Sequence, residues 1–91
     1  MIVTLSKDNF QAEVTDYKGI VVVLFTDASD PLPVQVEGQI AQNVKFGTVD
    51  FNAERELVHK FSIRRLPLFL KFVDGRVHET VNSFDKLTGV K

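Results

Sequence analysis

The chain has 91 residues, a formal net charge of −1 and no cysteine. That length holds one domain, and the absence of cysteine excludes disulfides, thiolate chemistry and every Cys-based metal site. Acidic and basic residues are interspersed without the basic patch that follows a phosphate backbone, which argues against nucleic acid. No apolar run approaches the ~20 residues of a membrane span, and the first residues lack the charged and small-residue pattern of a leader peptide.

In chain order, Ile2–Leu5 reads as a short strand and Ser6 as the N-cap of a helix over residues 7–17, with Phe10, Val14 and Tyr17 at helical spacing. Lys18 and Gly19 supply C-terminal chemistry for that helix. Ile20–Thr26 is continuously apolar and rich in β-branched residues, the pattern of a strand buried on both faces. Pro31 and Pro33 fit the first turn of a short helix of two to three turns carrying Leu32, Val36, Ile40 and Val44 on one stripe, which Gly38 weakens. Residues 46–51 read as a strand. Asn52 is then the expected cap of a helix over 53–61, with Leu57, Val58 and Phe61 inward.

Residues 62–66 form a loop with two arginines, and Pro67 opens the apolar strand Leu68–Val73. Asp74-Gly75 is a strong hairpin signal leading into Arg76–Val81. Ser83 is the expected cap of a last helix over residues 84–91, too short to be stable by itself. The predicted order is βαβαβαββ(α), an α/β fold with a mixed central sheet and helices on both faces. In such sheets the crevice at the carboxyl end of a central strand is where ligands usually sit, which directs attention to residues 27–33.

Four segments carry a resemblance to a known family. They are the opening Thr4-Leu5-Ser6-Lys7-Asp8-Asn9-Phe10, the strand Val21-Val22-Val23-Leu24-Phe25, the run from Val49-Asp50 to Glu54-Arg55-Glu56-Leu57, and Phe61-Ser62-Ile63-Arg64-Arg65-Leu66-Pro67 ahead of an apolar strand and Asp74-Gly75. In this order and spacing they resemble a thioredoxin-like domain, most of all those of protein disulfide isomerase-type proteins, as a single domain over residues 1–91. The resemblance implies a cis peptide bond before Pro67, beside the family's active site, and it makes the second and last helices of this chain shortened ones.

The departures from the family pattern decide the expected function. The redox motif Cys-x-x-Cys falls on Ser29, Asp30, Pro31 and Leu32, the aromatic residue before it is missing, and the buried acid of the central strand falls on Leu24. Nucleophile, leaving group and proton relay are thus all absent. The expectation is a redox-inactive domain, not an enzyme and without cofactor or metal, that binds protein or peptide non-covalently in a chaperone-like role. The peptide-binding residues expected are Ser29, Asp30, Pro31, Leu32, Arg64, Arg65, Leu66 and Pro67. Two other readings stand beside it: an architectural spacer in a multidomain isomerase-type protein, and a Cys-to-Ser variant of a monothiol enzyme with Ser29 at the lost nucleophile. A complete chain is expected in the cytoplasm and an excised isomerase module in the endoplasmic reticulum lumen.

Other residue types offer less. Ser29 as a nucleophile needs a base within hydrogen-bond reach, and the two histidines, His59 and His78, fall elsewhere in this topology and read as surface residues. Asp27 and Asp30 fit the favourable charge of a helix N-terminus better than a metal pair. Arg64 and Arg65 are expected at the groove rim, either paired to Glu54 or Glu56 or available to an acidic partner. Phe51, Phe61, Phe69 and Phe72 are expected in the core.

Overall fold

Five strands, β1 (Ile2–Leu5), β2 (Ile20–Thr26), β3 (Lys45–Asp50), β4 (Leu68–Val73) and β5 (Arg76–Val81), form one sheet in the order β1-β3-β2-β4-β5 in the computed structural model, which describes residues 2–91. The β1–β3 and β3–β2 pairs are parallel, and the β2–β4 and β4–β5 pairs antiparallel. Strand β2 is central, and its residues from Val21 to Thr26 are all buried. Its alternate side chains feed two cores: Val21, Val23 and Phe25 on one face, Val22 and Leu24 on the other. The unbroken apolar run is explained by this double burial, because both sets of positions must be apolar.

The first face is covered by residues 6–17 and by helix α2 (Arg55–Lys60). Residues 7–17 do not form the regular helix expected of them. Ser6 Oγ accepts the Asp8 N–H and Asn9 Oδ1 accepts the Ser6 N–H at 2.7 Å, a reciprocal cap that does start a helical turn. A single π-helical turn, Gln11–Thr15, follows, closed by the Asp16 N–H donating to the Gln11 carbonyl at 2.8 Å. The Glu13 carbonyl, which a continuing helix would offer to Tyr17, accepts Lys45 Nζ from β3 instead. Phe10 and Val14 still point inward, and Phe10 joins Phe61 and Phe72 in a cluster of rings with centroids 5.3 to 5.8 Å apart. Such ring contacts add stabilisation beyond area burial.

Helix α2 begins two residues later than expected, and Asn52 is not its cap. The cap is Glu54, without a side-chain cap bond, and Asp50 shapes the approach to it: its carboxylate accepts the Asn52 N–H and its carbonyl the Glu54 N–H, both at 2.9 Å, which winds residues 51–53 into a turn. The helix ends with Ser62 in the left-handed region at φ 55°. The Ser62 N–H donates to the His59 carbonyl and the Ile63 N–H to the Val58 carbonyl, the paired bonds of a Schellman ending, with Val58 and Ile63 both in the core.

The second face is covered by helix α1 (Leu32–Glu37) and by the C-terminal segment. Leu32, Val36, Ile40 and Val44 do share one packed layer, but the helix spans only Leu32–Glu37. Beyond Gly38 the chain closes tighter turns, and the Ala41 N–H then bonds the Val90 carbonyl at 2.8 Å. The last helix is reduced to one 3₁₀ turn, Phe84–Lys86, and Ser83 lies extended without capping it. Phe84, Leu87 and Val90 are buried against Val22, Leu24 and Phe69, so a nearly extended tail fills a helix's place. Lys71 of β4 donates to the Thr88 carbonyl, while Glu79 of β5 accepts the Thr88 N–H and hydroxyl at 3.0 Å.

At the opposite end of the sheet, Asp74 and Gly75 have φ of 50° and 84°, as a tight turn of the mirror-image type requires. Asp74 clamps this hairpin to the start of β2 by exchanging hydrogen bonds with Gly19 at 2.9 and 3.0 Å. A Cβ at Gly75 would lie 2.1 Å from the Thr15 carbonyl oxygen. Replacing Gly75 by alanine is therefore expected to lower stability by about 2–4 kcal/mol, seen as a lower urea midpoint. Ser62→Gly relieves a left-handed serine and is expected to raise stability by about 0.5–1 kcal/mol in the same measurement.

Candidate functional site

The carboxyl end of β2 leads through residues 27–31 into α1, and the polar side chains there are hydrogen-bonded locally. Thr26 is buried, and its hydroxyl donates to Asp30 Oδ2 at 2.8 Å. The other oxygen of Asp30 accepts the Leu32 N–H at 2.9 Å, so this carboxylate both anchors the strand end and starts the helix. Asp27 Oδ1 accepts both the backbone N–H and the hydroxyl of Ser29 at 3.0 Å. The Ser29 backbone N–H, with smaller help from its hydroxyl and the Asn52 side chain, holds the Asp27 carboxyl below its ordinary value. Ser29 is thus a hydrogen-bond donor to an ionised acid in an exposed turn, with no base activating it. Among the described residues no group of three or more His, Cys, Asp or Glu converges as a metal site.

The Leu66–Pro67 bond is cis. Pro67 meets Leu32 across an open cleft of about 250 Å³ whose other walls include Gln35, Gln39, Phe69, Asn82 and Ser83. Of the eight expected site residues, Leu32 and Pro67 line this cleft. Ser29, Asp30 and Pro31 form the turn before α1, and Arg64, Arg65 and Leu66 form the connection before Pro67. Leu66 is 39% exposed and Val34 on α1 is 72% exposed. Arg64 lines a separate cleft with Arg55 and His59, among side chains of the α2 layer. Neither Arg64 nor Arg65 is paired to Glu54 or Glu56: Glu54 accepts the Lys7 N–H, and Glu56 lies 3.7 Å from Lys7 Nζ. His59 and His78 are exposed.

Sequence reasoning missed the amide side chains of Gln35, Gln39 and Asn82. The first two stand four residues apart on the predicted helix, but nothing local shows that the tail opposes them.

A sheet ordered β1-β3-β2-β4-β5, with helical layers on both faces and a cis proline across a cleft from the start of the helix after the central strand, defines a thioredoxin-like domain. The thioredoxin family model matches residues 1–90. Thioredoxin C-2 of Corynebacterium nephridii is 32% identical over 83 residues, covering 84% of this chain and 77% of that protein. The chain belongs to the thioredoxin family, and it is a member without cysteine.

The depressed Asp27 carboxyl makes a pH prediction. A group whose pKa falls on folding contributes stability above its unfolded value, about 3.9, and loses it as pH drops through the lower folded value. Glu79 is lowered too, chiefly by the Thr88 N–H, and contributes with the same sign. The urea midpoint is expected to fall on acidification below about pH 4, and Asp27→Asn to flatten part of that fall while Glu79→Gln flattens another part.

Proposed function

We propose that this domain is a redox-inactive module that binds an extended protein or peptide segment reversibly, in the manner of the non-catalytic domains of disulfide isomerase-type proteins. It is not an enzyme in this reading, and its role is chaperone-like. The supporting observation is the solvent-exposed backbone of residues 64–66, which makes no hydrogen bond within the chain. Among the described residues, no hydrogen bond within the chain engages Arg64, Arg65 or Leu66, whereas the polar side chains of the turn before α1 are bonded. An extended ligand beside that connection could add main-chain hydrogen bonds, as in strand addition. Leu32, Leu66 and Pro67 would supply apolar contact, Gln35, Gln39 and Asn82 adaptable polar contact, and Arg65 attraction for acidic side chains.

Without a thiol there is no covalent capture, so affinity rests on shallow contacts and is expected to be about micromolar or weaker. Disulfide exchange requires an attacking thiolate. The purified protein is therefore expected to reduce, oxidise or isomerise a disulfide-bonded peptide no faster than buffer, and measurable turnover would overturn the reading. Titration with unstructured acidic peptides, followed by amide NMR shifts, is expected to move residues 29–32 and 64–68 together. Arg65→Glu should abolish the preference for acidic over neutral peptides. Shifts centred on Asp74 and Gly75 would place binding at the wrong end of the sheet.

A further inference from the structure

The chain has eleven lysines and arginines, and its ion pairs are distributed unevenly among them. Lys7, Lys45, Lys71 and Lys91 each contact a carboxylate. Among the described residues, none of the four arginines does, although a guanidinium is the side chain best matched to an oxyanion. Two of them, Arg55 and Arg64, line one cleft of about 290 Å³ together with His59, Ser62, Phe51, Val58 and Ile63. Arg55 and His59 share a face of α2 at a spacing of four residues, and the left-handed turn at Ser62 returns the chain so that Arg64 joins them.

No acidic residue lines this cleft. Asp50 accepts the Asn52 N–H, and Glu54 and Glu56 contact Lys7; with Asp8 these two line a neighbouring cleft that Arg55 also borders, but none of them pairs with its guanidinium. Arg55 lies over the Phe51 ring at 4.9 Å, which orients its guanidinium without neutralising it.

We infer that the cleft formed by Arg55, His59, Ser62 and Arg64 is a binding site for a phosphate group. A single carboxylate has only two oxygens, and one bidentate guanidinium engages both. Two guanidiniums, an imidazole and a hydroxyl match the larger number of acceptor oxygens on a phosphate or phosphate monoester. Phe51, Val58 and Ile63 offer apolar contact to an organic group carrying it. The site lies apart from the Leu32–Pro67 cleft and does not depend on peptide binding there.

The test is an amide NMR titration of the whole chain at low ionic strength with inorganic phosphate, phenyl phosphate and acetate in parallel. Inorganic phosphate is expected to shift residues 55–64 selectively, with a dissociation constant of about 1–10 mM because the groups are solvated. Equal affinity for phenyl phosphate identifies the free ion as sufficient, and tighter binding identifies an organic ester as the better ligand. Arg55→Gln and Arg64→Gln should each weaken binding about three- to fivefold, and the double variant should remove the selective shifts. Arg76→Gln, on exposed β5, should leave them unchanged. The inference is overturned if acetate shifts the same residues as strongly, if phosphate shifts are spread over the cationic surface, or if the folded double variant responds like the parent.

Discussion

Burial of β2 on both faces is the constraint from which the other features follow. Six consecutive residues, Val21 to Thr26, lose solvent contact, and five of them are apolar. Burying one such side chain contributes roughly 1.5–3 kcal/mol, so a chain of 91 residues gains much of its core from this strand if both faces are covered. The cover is economical. One face has a π-helical turn and a six-residue helix, fastened by the ring of Phe61 that touches Phe10, Phe25 and Phe72. The other has a second six-residue helix and a tail in which Val90 is fully buried and bonded through its carbonyl to Ala41. Short helices are unstable alone, and here each is held by tertiary contacts with β2.

The same burial explains the residue at the position of the family's strand acid. Leu24 has no exposed surface and packs with Val36, Phe69 and Phe84. A carboxylate there would need partners that this apolar layer does not offer. Where β2 emerges, Thr26 takes Asp30 as partner and Asp27 takes Ser29. The turn on which the resemblance places the family's two thiols is here a set of mutually bonded polar side chains, suited to holding the strand–helix junction.

Much of this was legible because the decisive signals are local. The apolar run of β2, the Asp74-Gly75 turn and the stripe from Leu32 to Val44 all appear in the sheet and layers expected of them. The helices were less legible because distant groups set their limits. Lys45 takes the Glu13 carbonyl thirty-two residues away, and Val90 takes the Ala41 N–H. Helix α2 starts late for a nearer reason, since Asp50 winds residues 51–53 into a turn before the helix begins. In the site, Arg64 and Arg65 are neighbours in sequence, yet only Arg64 shares a cleft with Arg55 and His59. The spacing of Arg55 and His59 was visible, but the left-handed Ser62 that brings Arg64 to them was not, because serine carries no strong preference for that conformation.

A fold this small has few polar groups to spare, so those it leaves without partners are informative. Buried side-chain polar atoms are satisfied throughout the described residues, and the lysines on β3 and β4 are tied to Glu13 and Glu79. Three of the four arginines without a carboxylate partner among the described residues, Arg55, Arg64 and Arg65, lie on the stretch from α2 to Pro67, together with the exposed backbone of residues 64–66. That stretch joins one layer to the internal strand β4 beside Leu32, bordering a cationic cleft and an apolar one. Backbone groups left open there retain the capacity to pair with an extended chain. Arginines without acids keep their full attraction for anions. Recognition by this domain is therefore best sought where folding has left hydrogen-bonding capacity unused, at residues 55–67, rather than in the turn at 27–30 that it has consumed.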